Sequence, residues 1–168
     1  NKEEKRQLTE LLKLYKEKAK IEMRIQQIGD DASHAAEKEM LSLQLLTINR
    51  DINANPAHTS KNSKVTNDAY DTAKTQAVKD LNKSARLKTH QGTIDKYATM
   101  QRQLLDAANN VGIDNVADNN LITQFSAYLD QYQQLKNQLD AKSQKGEIVT
   151  EEELRKLQDA KRNVEQYK

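Results

Sequence analysis

The chain has 168 residues, 27 basic and 25 acidic, with one Pro, four Gly, one Phe, no Trp and no Cys. A net charge of +2, spread evenly along the chain, gives no field strong enough to draw in nucleic acid or an anionic membrane, and the missing cysteine excludes disulfides, thiol catalysis and Cys-based zinc sites. Few aromatics and turn residues among many Ala, Leu, Lys, Glu and Gln argue against a thick globular core and for long helices packed along narrow seams.

Residues 3–28 carry Leu8, Leu11, Leu12, Tyr15, Ala19, Ile21, Ile25 and Ile28 at three- and four-residue steps, one stripe of a helix. At Gly29-Asp30-Asp31-Ala32-Ser33 two readings compete. Gly ends helices and Asp or Ser starts them, so a tight turn fits. Yet the stripe keeps its phase through Ala32, Ala35/Ala36, Met40, Leu43 and Leu46 or Thr47, and a hairpin has no reason to preserve phase. A Gly inside a helix costs only about 1 kcal/mol relative to Ala, less than the roughly 1.5–3 kcal/mol of one buried Leu or Ile. The expectation therefore leans to a continuous helix weakened at Gly29. The next break is firm: Asn53-Ala54-Asn55-Pro56 ends the helix, because the residue before Pro disfavours helical dihedrals, and residues 55–63 form a polar loop.

Ser63 to Val111 is the stretch around which the remainder is expected to be organised. It has no Pro and only Gly92 as an interruption, and its stripe runs Val65, Ala69, Ala73, Ala77, Leu81, Ala85, then Ile94, Tyr97, Gln101, Leu104, Ala108 and Val111. At about 1.5 Å per residue it would be roughly 73 Å long, and it needs other helices to cover its stripe. Gly92 reads as a local weakness in a continuous helix. Val111 to Asn120 reads as a loop, with Asp118 or Asn119 as the next helix cap. The strictest heptad follows, Ile122, Phe125, Leu129, Tyr132, Leu135 beside Lys136, and Leu139, ending near Lys145-Gly146. Thr150-Glu151-Glu152-Glu153 is a capping box, with Val149 placed to staple onto Leu154. Leu154, Leu157, Ala160, Val164 and Tyr167 make the last stripe. That stripe is still running at Lys168 and the chain starts at Asn1 without Met, so a piece of a longer protein is expected.

The expected fold is all-α: a single domain over residues 1–168, built as an elongated, antiparallel, coiled-coil-like helical bundle of three long tracts, about 3–54, 63–110 and 119–168. Gly29, Gly92 and Gly146 would then lie at one level as a belt of hinges. The competing arrangement makes Gly29 and Gly146 true turns and gives a compact bundle of five shorter helices.

Chemistry is sparse. Of His34, His58 and His90, only His34 has carboxylates at helical spacing (Asp30, Asp31 and Glu37), and a metal site needs a further convergent group. Asp114 to Asn120 resembles the start of a calcium loop, but the Gly at its sixth position and the Glu at its twelfth are missing; Phe125 stands at the twelfth. There is no phosphate-cradling glycine loop and no nucleophile motif. The basic run Lys13, Lys16, Lys18, Lys20 and Arg24 alternates with Glu17 and Glu22 and reads as a solvated face. Tyr15, Tyr97, Tyr128, Tyr132 and Tyr167 sit on or beside seams as core residues. No segment is long and apolar enough to span a membrane.

The expectation is thus a non-enzymatic structural or protein-interaction module, with no catalytic residue, cofactor or metal. It would be a helical rod for docking, spacing or oligomerisation within a larger secreted, surface or assembly protein. Its partner would be another protein or a second copy bound through a helical seam, not nucleic acid. The alternative is a helical component of a membrane-active toxin or secretion-system translocator, with peripheral membrane contact. No motif is specific enough to place the chain in a family.

Overall fold

The computed structural model describes residues 1–111 and 116–167. Among these the chain is all-α, with helices α1 (Lys2–Ile28), α2 (Ala35–Ala54), α3 (Ser63–Ser84), α4 (Leu87–Val111), α5 (Val116–Gln144) and α6 (Glu151–Glu165) and single 3-10 turns at Ala32–His34 and Ser60–Asn62. Contacts gather into two compact units, residues 1–84 with 146–151, and residues 85–145 with 152–168.

In the first unit α1 is the central helix, packed against both α2 and α3. Leu11, fully buried, meets Ile48, Ile52 and Ala57, with Leu8, Leu14, Tyr15 and Ile21 closing around them. Farther along, Met23 packs with Ala77, Val78 and Ile148, flanked by Leu81. The pairing order makes α2 antiparallel to α1 and α3 parallel to it. Tyr70, off the expected seam, lies edge-on to the Tyr15 ring at 6.0 Å and donates its hydroxyl proton to Glu22. Burial, then that bond to Glu22, pushes the Tyr70 phenol up to about 12.

In the second unit α5 is the middle helix. Phe125 lies edge-on to Tyr97 of α4 at 6.4 Å and to Tyr167, just past α6, at 6.3 Å. Phe125, Leu129, Tyr132 and Leu139 are all buried, so the heptad expected here is the one the structure packs. Lys136 is buried among them at 8 % exposure, its ammonium paired with Asp140 one turn on, and Leu135 sits half-buried at its side.

Several expectations are corrected. The chain does not run as three long tracts; the helices pair off compactly. The first tract folds back at Gly29, whose φ of 55° is left-handed backbone that a residue without a side chain adopts freely. The turn is fastened by Gly29 N–H to Ile25 O (3.0 Å), Asp31 N–H to Ile28 O (3.0 Å) and the Lys38 ammonium to Gly29 O (2.6 Å). Reversal lets Ile48 and Ile52 reach Leu11, a gain in burial that a straight helix cannot make within one chain. Gly146, at φ 78°, is likewise a turn. Gly92 lies inside α4, in keeping with the continuous helix read there, but the expected unbroken run from Ser63 to Val111 is interrupted at Ala85-Arg86, where Arg86 takes a left-handed φ of 54°. The glycines therefore do not share one role, and the expected belt of hinges is not built. α5 already includes Asp118 and Asn119, so neither caps it. The centre of that loop, residues 112–115, lies outside the described residues, and the calcium-like run from Asp114 falls there. Thr150 does stand directly before α6, as its capping-box position requires.

Candidate interaction surface

The hairpin at Gly29 decides which side of α2 is covered. Lys38, Leu41, Leu45, Ile48 and Ile52 form the stripe turned toward the unit, half-buried or buried. Met40, Leu43 and Leu46 lie on the opposite side at 61, 61 and 67 % exposure. At 100° per residue, Leu43 stands close to diametrically opposite the centre of the covered stripe. These are the residues whose phase argued for a continuous helix; the structure turns them to solvent. A scattered exposed Leu is ordinary, but three large apolar side chains on consecutive turns of one face mark a contact surface. Leu104, Leu105 and Leu121 are also exposed, at 44, 42 and 51 %, in helical segments on either side of the undescribed residues.

Beside this helix a polar web joins the end of α1 and the α1–α2 turn to Glu151, the first residue of α6. Arg24 forks onto Glu37 through two bonds of 2.8 Å and reaches Glu151 at 2.5 Å and Gln27 at 2.6 Å. Hydrogen bonding to Glu37 and to Glu151 holds the guanidinium firmly protonated, and Arg24 in turn lowers the Glu37 carboxyl below its ordinary range. His34 sits at the web's edge, Nδ1 2.6 Å from Asp31 and Nε2 3.8 Å from Glu151. Of the carboxylates near His34 in sequence, Asp31 is brought to it, while Glu37 turns to Arg24. Glu151, absent from that local set, completes the group. Asp31, His34 and Glu151 bring one ligand atom each to within 4.8 Å of one another, but His34 Nδ1 is already engaged by Asp31 and one oxygen of Glu151 by Arg24. That arrangement suits a bracing ion-pair web rather than a metal centre.

The irregular backbone at 147–149 is held by two buried amides. Asn82 donates Nδ2–H to Glu147 O (2.8 Å) and accepts the Val149 N–H at Oδ1 (2.9 Å). Gln27 donates Nε2–H to Val149 O (3.0 Å). Asn55 and Asn62 do the same for the α2–α3 loop, bonding Gln7 O, Ala57 N–H and Ala57 O. The chain is rich in Asn and Gln, and these four amide side chains replace missing helical partners.

In the second unit the Tyr132 hydroxyl lies 2.5 Å from His90 Nδ1. Burial, then the charges of Lys161 and Lys136, lower the His90 imidazole below its ordinary pKa; burial raises the Tyr132 phenol, which stays a donor. The other charges near the pair are Glu165, which also raises Tyr132, and Asp140 on Lys136. A neutral Nδ1 is required to accept the hydroxyl proton. Because the folded pKa is lowered, folded protein binds fewer protons than unfolded protein as the pH falls. The stabilisation is complete above the unfolded value of about 6.5 and is lost as pH drops through the folded one. Urea titrations from pH 7 to 5 should show stability declining more steeply in the wild type than in His90→Gln; equal slopes would remove His90 from the account.

Among the described residues the grooves are open and lined mostly by polar residues. One of about 360 Å³ between α5 and α6 is lined by Gln131, Gln134, Leu135, Gln138, Lys156 and Asp159, among others, a set without a nucleophile–base pair. No described helix is long and apolar enough to cross a membrane. Comparison with known proteins finds no matching family model, no matching curated protein and no matching solved structure.

Proposed function

We propose that this chain is a non-catalytic interaction module that docks a partner helix on the outer face of α2. The observation that carries this reading is the pair of opposed apolar stripes on one 20-residue helix: one is consumed by α1, and the other, Met40, Leu43 and Leu46, is left at more than 60 % exposure. A helix apolar on both sides normally has neighbours on both sides. A lipid surface is the competing occupant. It is disfavoured because α2 carries Glu37, Glu39 and Asp51 against only Lys38 and Arg50, and has no aromatic anchor, so it lacks the basic rim of an interfacial helix.

The test is a selection of displayed amphipathic helices on the wild type and on Leu43→Glu/Leu46→Glu. Helices with apolar residues at i, i+3 or i+4 and i+7 should be enriched on the wild type and lost on the variant. Equal recovery on both proteins would sink the reading. Binding to phosphatidylserine vesicles that the same variant abolishes would transfer the face to the membrane.

A further inference from the structure

We infer that the helix docked on α2 is α2 of a second copy of this chain, in an antiparallel two-fold pair; the inference rests on the docking face proposed above. The outward face repeats as a heptad, with Ala36, Leu43 and Arg50 at one seam position and Glu39, Leu46 and Asn53 at the other. When two such helices meet antiparallel, residues of the first set face residues of the second. With the two-fold axis between Gln44 and Leu45, Leu43 lies against the partner's Leu46 and Leu46 against the partner's Leu43. Glu39 then meets the partner's Arg50 and Arg50 the partner's Glu39, while Ala36 meets the partner's Asn53. The face is therefore complementary to itself: an apolar centre, one opposite-charge pair on either side, and a small residue opposite an amide at each end. Met40 flanks the centre, 61 % exposed. This is the isologous geometry that a two-fold dimer demands.

Charge also selects the orientation. A parallel pair would set Glu39 against Glu39 and Arg50 against Arg50, two repulsive layers around the same leucines. Arg50 is available for an exchange of partners. Its side chain is 75 % exposed, and its ion pair to neighbouring Asp51 is loose at 3.6 Å.

The face is small for a stable pair. A helix of 20 residues is about 30 Å long, and one such ridge against its copy covers less than the roughly 800 Å² per partner of a standard interface. The expected dimer is weak, with a dissociation constant on the order of 10–100 µM.

The experiment is sedimentation equilibrium from about 5 µM to about 1 mM on the full chain, a range that brackets that constant, with helicity checked by circular dichroism. All the substitutions are at exposed positions. The wild type should pass from monomer to dimer over that range, and Leu43→Glu should remain monomeric. Glu39→Lys and Arg50→Glu should each weaken self-association at least about tenfold. The double reversal E39K/R50E should restore it. An equimolar mixture of the two single variants should form a heterodimer. In that pair the lysine introduced at position 39 of one chain faces the glutamate introduced at position 50 of the other, and the native Arg50 of the first faces the native Glu39 of the second. A wild type still monomeric at the highest concentration overturns the self-pairing, and the docking face survives if displayed helices are still selected by it. A dimer indifferent to these substitutions overturns it as well, by placing association on another surface.

Discussion

Replacing Asn82 with Ala is expected to destabilise the first unit by about 2–4 kcal/mol. Asn82 is 6 % exposed in the last turn of α3 and makes no use of its amide within its own helix. It spends both ends on the segment 147–149, accepting from Val149 N–H and donating to Glu147 O. Val149 is fully buried, so its N–H has no water to turn to when Asn82 is gone. A buried donor without a partner costs about 1–3 kcal/mol, and the Glu147 carbonyl adds to this. Asn82→Asp separates the two halves of the bracket. It keeps the acceptor for Val149 N–H but sets a carboxylate oxygen against the Glu147 carbonyl. Its destabilisation relative to wild type should be smaller near pH ~4, where a protonated carboxyl can donate, than at neutral pH. Urea unfolding at the two pH values measures both effects. If Asn82→Ala unfolds within about 0.5 kcal/mol of wild type, as a neutral surface substitution does, the bracket is not holding the segment.

Leu11→Ala is expected to cost roughly 2–5 kcal/mol, the range for a large-to-small change that leaves a cavity. Leu11 is at 0 % exposure and is the point where α1, α2 and the α2–α3 loop converge on Ile48, Ile52 and Ala57. Its removal therefore loosens the α1–α2 hairpin as a whole. The matched control is Leu43→Ala on the other side of α2. At 61 % exposure it should change monomer stability by less than about 0.5 kcal/mol. Thermal or urea unfolding at low micromolar concentration compares the two directly. Equal losses at Leu11 and Leu43 would mean that the hairpin places the wrong face of α2 against α1.

Helical character, the firm break at Pro56, the start of α6 and the core of α5 were all legible in the sequence. Each is set locally: by a 3.6-residue period, by the steric demand of Pro on its predecessor, by a capping box, and by a heptad with one apolar face. Other features were not. α2 carries two apolar stripes, and periodicity alone cannot tell which one is buried. The phase that joined Ile28 to Met40, Leu43 and Leu46 pointed to the exposed stripe. A left-handed residue at Arg86 rather than a bend at Gly92 has no local signal, because Arg is not chosen for that conformation. The meeting of His34 and Arg24 with Glu151, 127 positions along from Arg24, exists only once the hairpin has closed. Sequence by itself determined that this protein is a set of amphipathic helices and where most of them end, since those properties follow from neighbours within a few turns. Tertiary structure decided which face each helix covers and which it leaves open, because that choice depends on the total surface removed from water when distant helices meet. The open face of α2, on which the proposed function depends, is a product of that choice.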